Sequence, residues 1–558
     1  MKRLALRWML GVSLLLPALG AACNPVKAPL ARPRLVVVIV VDQFRYDFVE
    51  RFSGLFGPGG FRRLVDEGAF FTNANYVHTP TYTAPGHAAI FTGSIPAQNG
   101  IVGNNWYDRD AGQEKVMVSD DSAKIVTSYG TQSYTHATKP ASPRILLGTT
   151  IGDQMRLSNG FRSKVIALSF KDRAAVLPGG REANGAYWFD ASSGGFVTSD
   201  YYLKELPEWV NRFNAEREPD KAFGRVWDRA LAPSAYQLTQ GVTTEVKGSP
   251  LGRHFPYTIT AGASSPNEDY YKAFQYTPFA SEYLEDFAKA AVEGEALGAD
   301  EYPDLLAISF STPDLVGHSY GPDSEEIEDT YVRLDRVIAD WLQYLDRKIG
   351  LANIVIAVTG DHGVCPVPRL LSLNKLDAEV IDPNRCKNAA EEALKARFGG
   401  DKWVLALVND QLYLDVKLMT QQKADPAEAE RVAAQALLGV PGVAACFTRT
   451  QILSGQMAPG WITQRVSNGF NAKRSGDVWL ITKPFHFVGE GEIATTHGSP
   501  YDYDTHVPLI LFGAGIHANR YFSECSPSDI APTLCALLGV EPPSNRSGRV
   551  LVEALAGR

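Results

Sequence analysis

Five short apolar runs punctuate the chain, at Leu35 to Val41, Val165 to Phe170, Leu305 to Phe310, Ile354 to Val358 and Val507 to Phe512. Their hydrophobicity is near-continuous rather than alternating, which predicts central strands covered on both faces. Segments of helical period lie between them. The clearest sets Ile327, Tyr331, Leu334, Val337, Ile338, Trp341, Leu342, Leu345 and Ile349 along one face. Asp323 and Glu326 have capping-box spacing at its start, and Gly350 supplies its stop. Strands separated by long helical segments predict an α/β fold, with a mainly parallel central sheet and helices on both faces. Two stretches, about 180–300 and about 366–495, break the alternation and are rich in Gly, Pro, Tyr and Trp. They read as insertions that build a cap around a site. No internal repeat, low-complexity tract or heptad array is present.

The first residues change the picture of where the chain works. Lys2, Arg3 and Arg7 precede an apolar stretch from Trp8 to Leu19 and the small residues Gly20, Ala21 and Ala22, so residues 1–22 have the layout of a secretory signal peptide. The expectation is a periplasmic or secreted mature chain, residues 23–558, with a lipid anchor at Cys23 as the alternative to simple cleavage. No other run is long enough to span a bilayer, and a monomer is expected. With 45% apolar residues the chain can bury a large core. Its net charge of -8 argues against a nucleic-acid polymer or an anionic membrane as partner, because those need a basic face. Any anionic substrate must therefore meet local cations. Cys365, Cys386, Cys446, Cys525 and Cys535 show neither CxxC nor zinc-ribbon spacing. Export permits disulfides; Cys525 with Cys535 is the first pairing to expect, and buried unpaired thiols are the alternative.

In open parallel sheets, ligands sit at the carboxyl ends of the strands, and here the residues after each run are unusually polar. Asp42 follows the first run; Lys171 and Arg173 follow the second. Asp314 and His318 follow the third, Asp361 and His362 follow the fourth, and His497 precedes the fifth. A lone strand-end Asp is most often a helix cap, and a lone His a satisfied structural residue. Three aspartates and three histidines at one sheet edge, however, would repel or be wastefully desolvated without cations, and two Zn²⁺ ions suit that ligand mixture. Asp314 and His318 have the i, i+4 spacing that puts both on one helix face. A nucleophile candidate, Thr83, lies in Thr81-Tyr-Thr-Ala-Pro-Gly-His87, where Pro85 suits a first helical turn and free N–H groups welcome an anion. Thr81 is a neighbour with the same chemistry.

These motifs together resemble the alkaline phosphatase superfamily, and within it the bacterial branch with a threonine nucleophile and a Lys-x-Arg pair. The resemblance runs from Val-Val-Asp42-Gln through Thr83-Ala-Pro-Gly-His, Gly-Asn104-Asn-Trp-Tyr-Asp, Lys171-Asp-Arg173, Thr-Pro-Asp314-Leu-Val-Gly-His318 and Gly-Asp361-His362-Gly to Thr-His497-Gly-Ser. It implies that residues 23–558 form one catalytic domain. It also implies that Asp42, Thr83, Asp361 and His362 bind one zinc, and that Asp314, His318 and His497 bind the other. Thr83 would be the nucleophile and Asn104, Lys171 and Arg173 the contacts to the phosphoryl oxygens. His87 and His506 read as supports behind the site. The implied activity is hydrolysis of small phosphate monoesters through a phosphothreonine.

A phosphodiesterase or nucleotide pyrophosphatase shares the metal ligands and the threonine, but the two cations of Lys171-Asp-Arg173 suit a dianionic monoester better than a diester. A sulfatase needs a modifiable Cys or Ser where this chain has Thr83. A non-catalytic surface lipoprotein that binds phosphate or a glycan would not require Thr83 among the ligands.

Overall fold

A computed structural model describes residues 32–132, 138–236, 249–489 and 493–556. The proposed signal peptide and Cys23 lie outside the described residues. The elements that place the site are, in chain order, β1 (Leu35–Val41), α1 (Thr83–Thr92), β2 (Val165–Ser169), α2 (Asp172–Gly179), β3 (Asp304–Phe310), α3 (Thr312–Tyr320), α4 (Glu325–Lys348), β4 (Ile354–Gly360) and β5 (Leu509–Gly513).

These strands belong to one sheet of eleven. Its order is Asn519–Tyr521, Ala69–Phe71, β5, β4, β1, β3, β2, Gly185–Asp190, Gly195–Ser199, Ile125–Thr127 and Gly130–Gln132. β1 is an interior strand next to the middle one, parallel to β3 and β4, and all seven of its residues are buried. The alternation of its side chains feeds two cores. Leu35, Val37, Ile39 and Val41 join Tyr331, Leu334, Ile338, Trp341 and Leu345 of α4 on one face. Val36, Val38 and Val40 join Ala84, Ala88 and Phe91 of α1 and Val176 of α2 on the other. Each such aliphatic residue contributes about 1.5–3 kcal/mol when fully buried, so β1 anchors the helices of both layers.

Register decides where chemistry can gather. Val41 is paired with both Phe310 and Gly360, so β1, β3 and β4 end level with one another. Ser169 is level with Ser309, which brings the end of β2 to the same edge. β5 runs antiparallel, with Leu509 opposite Thr359. Its beginning therefore lies at that same edge, which explains why residues before this run, not after it, approach the others.

Two local expectations need correction. The cap of α4 is Ser324, whose hydroxyl accepts from the Ile327 N–H at 3.2 Å. Asp323 is drawn instead to Arg51, at 2.7 Å, and Glu326 accepts from the Tyr257 hydroxyl. The helix stops as expected, with Gly350 at φ 85° and its N–H on Leu345 O. The five described cysteines are unpaired, Cys525 and Cys535 included. Cys525 Sγ faces the Asn73 carbonyl at the sheet edge, while Cys535 sits inside the helix Ile530–Leu538. Both are enclosed in apolar packing, and burial pushes both thiols up to about 12.

The stretch 180–300 supplies two strands to the main sheet, Gly185–Asp190 and Gly195–Ser199, besides the helix Pro278–Gly294. The stretch 366–495 carries its own four-stranded sheet, ordered Val404–Val408, Gln411–Leu414, Val478–Thr482, Val443–Thr448. That sheet has a separate apolar cluster that includes Trp403, Leu412, Leu437 and Leu480. The turn joining its first two strands, Asn409-Asp410, has positive φ at both residues. It reaches the separate hairpin Asn105–Asp108 with Gln113–Val116, where Asn409 Nδ2 donates to Asn105 O at 2.5 Å.

Candidate active site

Asp42 is the first residue after β1, held at the sheet end by its N–H on Phe310 O. Asp361 and His362 follow β4 directly, and these three residues form one buried group. Asp314 and His318 lie one turn apart on α3 and meet His497, which arrives from the loop before β5, to form a second group. Within each group the ligand atoms lie within 4.8 Å of one another. The two groups adjoin, with the His362 and His497 rings stacked at 3.5 Å between centroids.

The hydrogen bonding of the histidines bears on what these groups could hold. His318 Nδ1 donates to Thr495 O at 2.8 Å, His362 Nδ1 to Gly363 O at 2.9 Å and His497 Nδ1 to Thr81 O at 2.7 Å. A neutral imidazole that donates through Nδ1 presents a lone pair at Nε2. Each Nε2 nevertheless faces carboxylate oxygen. His318 and His497 are 3.1 and 3.7 Å from Asp314 Oδ1, and His362 is 3.4 Å from Asp42 Oδ1 and 3.6 Å from Asp361 Oδ2. Asp42 Oδ1 and Asp361 Oδ2 are buried without a hydrogen-bond partner among the described residues. At His362 and His497 lone pairs are aimed at lone pairs, and with buried carboxylate oxygens left over the arrangement fits cations held between them.

The electrostatics agree. Burial, with the Asp314 and Asp361 charges, pushes Asp42 well above the carboxylate range despite Lys171. Burial acts on Asp314 in the same sense, but His318, Lys171 and His497 outweigh it and hold that carboxyl well below its usual range. Burial also opposes ionisation of Asp361, yet His362 and His87 bring it down. Burial lowers His362, and burial with the neighbouring His362 and His318 lowers His497 strongly, so both rings stay neutral. Burial would lower His318 too, but the Asp314 charge raises it.

Thr83 is the first residue of α1, almost fully buried, with Oγ1 3.4 Å from His362 Nε2. Thr81 is spoken for, since its hydroxyl donates to Ser499 O at 2.9 Å. Asn104 is oriented by the same helix start: its Oδ1 accepts from the Ala84 N–H at 2.9 Å, which leaves Nδ2 free to donate elsewhere. Asn105 turns away to Glu114 and Asn409. Lys171 Nζ bridges Asp42 and Asp314, 2.5 Å from an oxygen of each. The paired carboxylates outweigh burial and raise its pKa. Arg173 has its guanidinium 3.9 Å from Asp172, and its buried Nε has no partner among the described residues. His87 sits behind the nucleophile candidate, donating from Nδ1 to Thr83 O at 2.8 Å, with Nε2 on Ser309 Oγ at 2.8 Å. His506 lies farther off, stacked on Tyr46 and bonded to Thr72 O.

Two residues at this edge went unread in the sequence. Gln43 bonds to both Asp361 and Asp314; its only signal was a polar residue beside Asp42. Asn409 reaches the Asn104 loop from far along the chain, and no local pattern announces that.

Candidate metal ligands at strand ends, a helix-start threonine and a Lys-x-Arg pair thus gather at one edge of a mixed sheet. The chain belongs to the type I phosphodiesterase/nucleotide pyrophosphatase family, whose model matches residues 36–500, within the alkaline phosphatase superfamily. More particularly, it is similar over nearly its whole length to alkaline phosphatase PafA of Elizabethkingia meningoseptica, at 36% identity covering 98% of this chain and 99% of that one. The crystal structure of PafA superposes with a TM-score of 0.87, at 35% identity, covering 94% of this chain and 99% of that chain. A structure of PafA with a threonine, an asparagine, a lysine and an arginine replaced is similarly close, at a TM-score of 0.86. Alkaline phosphatase PhoV of Synechococcus elongatus is 37% identical over 94% of both chains. A Myroides odoratus protein named calcium-transporting ATPase is 36% identical, over 94% of this chain and 95% of its own. Among the described residues no helix is long and apolar enough to cross a membrane.

Proposed function

We propose that this protein is an exported, zinc-dependent alkaline phosphatase that hydrolyses small phosphate monoesters through a phosphothreonine at Thr83. Phosphomonoester hydrolysis accords with its family and with full-length relatives named alkaline phosphatases. The observation that carries the mechanism is the convergence of three histidine Nε2 atoms and orphaned carboxylate oxygens beside the Thr83 hydroxyl.

Asp42, Asp361 and His362, with Thr83, would hold one ion, and Asp314, His318 and His497 the other. Mixed nitrogen and oxygen donors, three protein ligands from each group, suit zinc in a site that keeps a position open. Bound there, the ions would supply positive charge favouring an ionised Thr83 hydroxyl, the departing alcohol oxygen and, in the second half-reaction, ionised water.

Thr83 Oγ1 attacks phosphorus as the bond to the alcohol oxygen breaks, giving phosphothreonine and the free alcohol. Water then attacks phosphorus, the bond to Oγ1 breaks, and inorganic phosphate leaves. Throughout, charge on the non-bridging oxygens must be met by fixed donors. Asn104 offers Nδ2 because Ala84 holds its Oδ1, Arg173 offers a planar fork, and Lys171 places a point charge beside the ligand carboxylates. The four residue types replaced together in the PafA variant are those of Thr83, Asn104, Lys171 and Arg173, which supports grouping these positions. The inserted stretches 180–300 and 366–495 would form the cap over this edge.

The test compares an aryl phosphate monoester with the matching diester at alkaline pH, for wild type and Thr83→Ala, with zinc supplied or chelated. The expected result is strong monoester preference, near-abolished turnover in Thr83→Ala, and loss on chelation restored by zinc. Diester preference would assign the protein to the phosphodiesterase side of its family. Metal-independent turnover would refute the mechanism.

A further inference from the structure

Gln43 carries no role in the scheme above, yet its placement is unusual on three counts. It is a buried non-glycine residue with φ 66°, in the left-handed region that L-residues avoid at a cost of about 1–2 kcal/mol. Its backbone N–H donates to Asp361 Oδ1 at 3.0 Å, and its side-chain Nε2 donates to Asp314 Oδ1 at 2.8 Å. It is joined covalently to Asp42. One residue therefore grips a carboxylate of each group and is bonded to a third.

The surroundings enforce this conformation. A Cβ on Gly317, in the turn of α3 between Asp314 and His318, would stand 1.7 Å from Gln43 Oε1. Glycine at 317 is what lets the amide lie flat along α3. The Gln43 carbonyl accepts from the buried Tyr331 hydroxyl at 3.4 Å. Because Asp314 can only accept when ionised, the amide must present Nε2 to it, which fixes the amide orientation.

We propose that Gln43 is a positioning residue that couples the two ligand groups, its backbone orienting Asp361 and its side-chain amide orienting Asp314. As a neutral donor it fixes an oxygen of Asp314 without adding charge; glutamate in its place would set a like charge against that carboxylate. Groups that orient ligands in this way are worth about 10- to 100-fold in metal affinity. The proposal rests on the metal-binding reading of the two groups.

The experiment titrates metal-free protein with Zn²⁺ against a chromophoric chelator and records the visible spectrum with Co²⁺, for wild type and three variants. Gln43→Gly keeps the N–H on Asp361 and relieves the backbone, but removes the amide. It should bind one ion as wild type does and the other about 10- to 100-fold more weakly, with the Co²⁺ spectrum of one site altered. Gln43→Glu should weaken the same ion further. Gly317→Ala should reproduce the defect by expelling the amide, and adding Gln43→Gly to it should cost nothing more. Two ions bound by Gln43→Gly with wild-type affinities would overturn the coupling, as would equal weakening of both in step with thermal stability. Wild type that binds fewer than two ions would overturn the metal reading itself, and this proposal with it.

Discussion

Replacing Gly86 by alanine should separate the proposed nucleophile, Thr83, from its neighbours by a distance the structure fixes. Gly86 lies in α1, three residues after Thr83, packed against the end of β4. A Cβ there would stand 2.1 Å from the Asp361 carbonyl oxygen, 2.8 Å from its carbonyl carbon and 2.9 Å from its Cβ. Carbon and oxygen approach comfortably only to about 3.3 Å, so helix and strand end must part by about 1.2 Å. None of the three is the tip of a side chain that could swing away. Overpacking of this kind costs about 1–3 kcal/mol. The same movement carries Thr83 Oγ1 away from His362 and Ala84 away from Asn104. Misplacement of a reacting group by about 1 Å costs on the order of 100-fold in rate. The assay is kcat for an aryl phosphate monoester with zinc supplied, alongside circular dichroism and a thermal melt. The expected outcome is a folded protein with slightly lowered stability and turnover down by about two orders of magnitude. Wild-type turnover in a folded Gly86→Ala protein would refute the claim that this contact sets the position of Thr83.

Three further outcomes follow from the site and its surroundings. His78 is buried against Tyr76, its Nε2 lacks a partner among the described residues, and burial brings its pKa down to about 3. The unfolded chain therefore takes up a proton near pH 6.5 that the folded one refuses, and stability present above pH 6.5 is lost towards pH 3 at about 1.4 kcal/mol per unit. Urea midpoints from pH 7 to 4 should show that extra slope in wild type and not in His78→Phe. Arg173→Ala would remove the two charge-assisted hydrogen bonds that the proposed mechanism gives it, worth about 1.5–3 kcal/mol each, so monoester kcat/KM should fall roughly 10²- to 10⁴-fold while diester turnover changes far less. Asn409→Gly keeps the turn but deletes the donor to Asn105 O, and should lower monoester turnover about tenfold; in an Asn104→Ala background it should have no effect, and equal effects in both would show a merely structural contact.

Much of the fold was legible because its signals are local. Unbroken aliphatic runs announce buried strands, and the polar residues at their ends can be read off directly, which is how Asp42, Asp314 and Asp361 stand out. His497 was counted with the others although it precedes its strand, and the reason it reaches the site, β5 running antiparallel, leaves no mark in composition. The cap of α4 was misplaced by one residue because Asp323 and Ser324 both suit a cap; the nearby Arg51 decides between them. The Cys525 and Cys535 pairing failed for a related reason, since closeness in sequence says nothing of whether two thiols face one another. Gln43 and Asn409 depend on partners roughly 270 to 320 residues away, beyond any window in which periodicity operates.

The interior position of β1 also governs how the molecule is made. Synthesis proceeds from the amino end, so Leu-Val-Val-Val-Ile-Val-Val emerges long before the strands it pairs with. Both strands that will flank it, β3 and β4, begin only at residues 304 and 354. Until then a chargeless, proline-free stretch of high β-propensity has no native edge to pair with, and such segments readily pair with copies of themselves. Long-range parallel pairing is slow to form as well. The segment that does most to unite the finished layers is thus the one most exposed to aggregation on the way, and recovery from denaturant should fall as chain concentration rises.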